Sequence, residues 1–94
     1  MDILAEMESA AKKAVPFLIE QTKSSEPSTR ESAVYALAAM GVEAISAIPD
    51  LKKVIARDKD RLIREAATYA IKTINEAKEA RDKAAEKEKG SSQR

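Results

Sequence analysis

The apolar positions of this chain recur at helical spacing. Val15, Leu18, Ile19 and Thr22 follow i, i+3, i+4, i+7, the pattern of a helix with one buried face. Ile45, Ile48, Leu51, Val54 and Ile55 form a second stripe of this kind. Two further segments alternate with these: Ala33, Leu37 and Met40 at i, i+4, i+7, and Ala67, Ile71 and Ile74 at the same spacing. No large apolar residue lies beyond Ile74. The chain therefore reads as all-α, with its core material confined to the first three-quarters.

The boundaries follow from local chemistry. "SSEPST" interrupts the first stripe, and Pro27 suits the first turn of a helix over Pro27 to Met40 because its missing N–H is one that a first turn leaves unpaired. In the second unit "DKD" takes that place, with Asp60 as the N-cap of a helix from about Arg61 onward. Gly41 is expected to end the earlier helix in a left-handed C-cap; Asn75, less suited to that conformation, holds the matching position of the later one, which is expected to run on from Ile74 and fray before Gly90. Pro16 and Pro49 fall within the apolar stripes, where a missing donor and a steric clash should kink the helix or begin its straight portion.

These segments are repeats. "ILAEMESAAKKAVP", ending at Pro16, aligns with "ALAAMGVEAISAIP", ending at Pro49, at an offset of 33 residues. Beyond the prolines, "KSSEPSTRESAVYAL" aligns with "RDKDRLIREAATYAI" at an offset of 34. A period of this length marks stacked supersecondary units. The stretches "AVPFLIEQTKSSEPSTRESAVYALAAMG" and "AIPDLKKVIARDKDRLIREAATYAIKTIN" resemble the HEAT-repeat family, in particular the short repeats of the phycobilin lyase type. The resemblance implies an α-α superhelix, or solenoid, of about two helix pairs, with "ILAEM" as a partial N-terminal helix. It also implies an acidic residue before the turn paired with the arginine that opens the second helix. Asp58 and Arg64 match that pattern, whereas the first unit has Ser24 beside Arg30.

Each second helix carries one tyrosine in the same place. At 100° per residue Tyr35 points about 140–160° away from Ala33, Leu37 and Met40, and Tyr69 is likewise opposed to Ala67, Ile71 and Ile74. In HEAT-like arrays the second helices line the concave surface. The resemblance thus implies a ladder of Ser28, Glu31, Tyr35 and Ala39 beside Leu62, Glu65, Tyr69, Lys72 and Thr73, with the tyrosines about 8–10 Å apart. A tyrosine offers a rigid apolar body with a polar tip, a composition enriched at binding hot spots. The competing reading is that each ring only covers the alanine surface of the neighbouring helix.

Composition narrows the chemistry. The 94 residues contain neither cysteine nor histidine, which excludes disulfides, imidazole or thiolate catalysis and His/Cys zinc sites. With Gly41 and Gly90 as the only glycines there is no phosphate-cradling loop. An EF-hand reading of Asp58 fails, because glycine and glutamate would be needed where Ile63 and Tyr69 stand. Counting consecutive apolar residues gives no run near ~20, and the acidic N-terminus does not read as a signal peptide. A cytoplasmic protein is the expectation. Net charge is +1, split as −3 over residues 1–49 and +4 over 50–94. The basic residues Lys52, Lys53, Arg57, Lys59, Arg61 and Arg64 are interleaved with Asp50, Asp58, Asp60 and Glu65, so nucleic-acid binding through Lys52 to Arg64 is the lesser alternative.

Residues 1–76 are thus expected to form the repeat domain, and 77–94, rich in alanine, glutamate and lysine, a charged helical extension ending in a disordered tail. Function reads as a non-catalytic protein–protein interaction scaffold that binds a peptide or helix through Glu31, Tyr35, Leu62, Glu65, Tyr69 and Lys72. No catalytic residue, metal or cofactor is expected. The family suggests one rival, an auxiliary subunit of a lyase-like complex, which would need a partner chain to hold and attach a tetrapyrrole. Ile3, Leu4 and Met7 make an apolar stripe at the N-terminal end, through which a weak homodimer is expected.

Overall fold

The computed structural model describes residues 3–92, with side chains from 10 to 86. These residues form helix α1 (Ile3–Gln21), helix α2 (Pro27–Met40), a 3-10 segment (Gly41–Ala47), helix α3 (Ile48–Arg57) and helix α4 (Arg61–Ser92). No strand occurs among the described residues. α2 packs along α4, α1 along α2, and α3 along α4. The molecule measures 54 × 31 × 15 Å; its long axis is close to the ~48 Å that the 32 residues of α4 span at 1.5 Å rise.

The repeat pattern sorts correctly into the core. Leu37, Leu51, Ile63, Ile74 and Val34 are fully buried, drawn from both units, and Val15, Ala44, Ala47 and Ala67 join them in one cluster. Alanines at Ala33, Ala38, Ala66 and Ala70 are also buried, allowing helix backbones to approach closely. Ile3, Leu4 and Met7 lie outside the residues whose side chains are described, so the proposed dimer stripe is not placed.

Several boundaries fall as the local chemistry predicts. Pro27 opens α2 at its first turn. The Asp60 Oδ1 accepts the Leu62 N–H at 2.9 Å, capping α4. Other boundaries differ. Gly41 has the expected positive φ of 58°, but its ψ of −125° lies outside the left-handed helical basin, and it starts a 3-10 turn instead of a loop. α4 does run on through Asn75, as expected, because the alanine-rich sequence beyond favours continuation more than asparagine favours a cap. The two prolines also behave differently. Pro16 sits inside a continuous α1, whereas Pro49 stands in the first turn of α3, after the 3-10 segment.

Pro27–Arg57 contains a window apolar enough, by length and composition, to cross a membrane. Runs of consecutive apolar residues do not reveal it. In the structure this stretch is divided at Gly41, and Val34, Leu37, Ala44, Ala47 and Leu51 within it belong to the core.

Candidate functional site

The outward face of α2 and α4 brings together much of the ladder expected from sequence. Leu62, Glu65, Tyr69 and Lys72 are all exposed along α4, as are Glu31 and Tyr35 on α2, consistent with helical periodicity. Tyr35 and Tyr69 remain 50% and 54% exposed and Leu62 64%. These are three of the four large apolar side chains that stand out from the described surface, the fourth being Phe17 on α1. Leu62 lies two helical turns before Tyr69, on the same side of α4.

The tyrosines touch. Their ring centroids are 6.2 Å apart with planes tilted by 51°, inside the range of a favourable edge-on aromatic pair. The expected 8–10 Å is a separation of helix axes; long side chains on neighbouring helices lean together and close it. Each ring therefore contacts its repeat-mate and still presents about half its surface to solvent. Glu65 accepts a hydrogen bond from the Arg61 Nε at 3.1 Å. Both partners are exposed, so the pair orients charge more than it stabilises the helix.

Beneath the turns lies a polar contact that sequence reasoning misassigned. The Asp58 carboxylate does not pair with Arg64. It accepts two hydrogen bonds from the fork of Arg30, Nε to Oδ2 at 2.9 Å and Nη2 to Oδ1 at 3.2 Å. Arg64 instead donates from Nη1 to the Asp58 main-chain carbonyl at 2.8 Å, just as Arg30 donates from Nη1 to the Ser24 carbonyl at 3.0 Å. The repeat is kept at the main chain, and the acid of the second unit clamps the arginine of the first. Aligning Arg30 with Arg64 and Ser24 with Asp58 was the available signal, but which unit's carboxylate each fork meets depends on how the units stack.

This clamp is largely shielded, with side-chain exposure of 4% for Asp58 and 18% for Arg30. Burial alone would raise the Asp58 pKa. The hydrogen bonds from Arg30 and from the Asp60 N–H, with the charges of Arg30 and Arg64, outweigh it and hold the carboxyl below its ordinary value. The bond to Asp58 in turn raises the Arg30 pKa, against the effect of desolvation.

Among the described residues no three carboxylates converge as a metal site would require, and every fully buried side-chain polar atom has a hydrogen-bond partner.

No curated protein and no solved structure matches the chain. A family model described as HEAT repeats matches residues 2–72, which takes in both sequence repeats, the tyrosine pair and the Arg30–Asp58 clamp. With its helices recurring at 33 and 34 residues and that match covering most of its length, the chain belongs to the HEAT-repeat family.

Proposed function

We propose that this chain is a non-catalytic interaction module of the cytoplasm, a short right-handed stack of two helix pairs that binds a peptide or helix across the concave face of α2 and α4. HEAT repeats are commonly protein-interaction scaffolds and generally non-enzymatic. The observation that carries the reading is the contacting but half-exposed pair Tyr35 and Tyr69. Fixing two rings against each other removes rotamer freedom before binding, so less is lost on association. Leu62 extends the apolar strip, while Glu31, Glu65 and Lys72 set the orientation of an approaching segment.

The double variant Tyr35→Ala/Tyr69→Ala tests this. Capture of the native partner from host extract should fall about tenfold or more, with melting temperature lowered by only a few degrees. Unchanged capture with a large loss of thermal stability would mean that the rings serve only to hold the units together. The repeat lengths further suggest the short phycobilin lyase type within the family. An auxiliary role in such a complex would draw its tetrapyrrole-holding groups from a partner chain, and a coloured co-purifying ligand is the sign of it.

A further inference from the structure

At the turn end of the molecule, the turn that follows α1 faces the last turns of α3. α2 and α4 are packed together, but α1 and α3 make little contact with each other. A groove of about 700 Å³ opens there, lined by the turn after α1, the first turn of α2, α3 and the turn after it but by neither tyrosine, and its size falls in the range of ordinary ligand pockets.

Its lining has two parts. Val54 is the buried apolar residue of its floor, with the buried Thr22 beside it and the exposed Pro27 at the edge. Around them stand four exposed cations, Lys23, Lys53, Arg57 and Lys59. The Arg30–Asp58 clamp also lines the groove but is neutral as a pair. Lys23 lies 3.6 Å from Glu20, and both are exposed, a contact of little strength. Lys53, Arg57 and Lys59 have no acidic partner within salt-bridge distance among the described residues. Against the four cations stand Asp50 and the C-terminal ends of α1 and α3, each equivalent to roughly −0.5 charge. The balance remains positive.

We propose that this groove docks an acidic peptide segment of a partner protein, with one apolar side chain seated over Val54 and flanking carboxylates held by Lys53, Arg57, Lys23 and Lys59. Charge complementarity selects the acid. The cations are exposed, so their attraction is summed over several and screened by salt. A polynucleotide is the poorer fit, because no aromatic side chain lines the groove to stack on a base, and Asp50 interrupts the cation row at one end.

Fluorescence polarisation with a labelled hexapeptide of alternating glutamate and leucine tests the assignment. Binding should be saturable at about 0.15 M salt and weaken in high salt. Lys53→Glu/Arg57→Glu should weaken it about tenfold or more. Lys12→Glu/Lys13→Glu, an equal charge reversal at exposed α1 positions away from the groove, should change it less than about twofold. Circular dichroism should show both variants fully helical. Equal losses in the two variants, no loss in the first, or undiminished binding when alanine replaces leucine in the peptide would each overturn the proposal. So would tighter binding of a labelled single-stranded oligonucleotide through the same cations. Tyr35→Ala/Tyr69→Ala should leave peptide affinity unchanged, so this result stands apart from that for the tyrosine face.

Discussion

Removing the Asp58 charge tests whether the two units are held in register by the polar clamp. Asp58→Asn preserves size and an oxygen to accept the Asp60 N–H, now bonded to Oδ1 at 2.9 Å. It cannot reproduce the paired contacts of 2.9 and 3.2 Å to Arg30. A hydrogen bond to a charged group contributes about 1.5–3 kcal/mol. Two bonds to one guanidinium are not independent, and Arg30 keeps its bonds to the Ser24 and Ser25 carbonyls. A loss of about 2 kcal/mol is therefore expected, a large part of the ~5–14 kcal/mol available to a domain of this size.

Far-UV circular dichroism melts should show it as a fall of about 8–16 °C near neutral pH. The pH dependence adds a signed test. Because Asp58 is held below its ordinary pKa, the unfolded chain takes up the proton first. Its contribution is complete above the unfolded carboxylate range, about pH 4. It disappears as pH falls through the lower folded value, so the gap between wild type and Asp58→Asn should narrow in acid. A gap that stays constant from neutral pH to well below the carboxylate range, or melting curves that coincide near neutrality, would refute the reasoning. Arg30→Met should cost much less when combined with Asp58→Asn than it does alone, since partners in one contact are not additive.

Two other substitutions probe the fold. Gly41→Ala places an L-residue at φ 58°, ψ −125°, a basin that costs about 1–3 kcal/mol, offset by the ~0.4–1 kcal/mol gained from a stiffer unfolded chain. The new Cβ would meet the Ala77 Cβ at 3.4 Å, which is contact without severe clash. A melting temperature at or above wild type would show that the strain is absent. Ile63→Ala empties a fully buried site and should cost about 2–5 kcal/mol, against about 0.5–1.5 for Ile63→Val. Urea titration reads both, and equal midpoints for the two variants would contradict the packing.

The helices, their repeat and their faces were legible in the sequence because helical periodicity is a local property. Val34, Leu37, Leu51, Ile63 and Ile74 are buried, and Tyr35, Leu62 and Tyr69 are exposed, where 3.6-residue spacing puts them. Pro27 and Asp60 acted within one turn of their own positions, so they too could be read directly. The passage of α4 through Asn75 was legible too, since the helix propensity of the alanine, glutamate and lysine that follow outweighs a weak cap. Only the stacking of one unit on the other decided three further points: that Asp58 reaches Arg30 and not Arg64, that the tyrosine rings close to 6.2 Å, and that the α1–α2 turn and α3 leave a cation-rimmed groove between them. Each joins residues about thirty positions apart in the chain, a distance at which side-chain geometry depends on packing and no longer on local pattern.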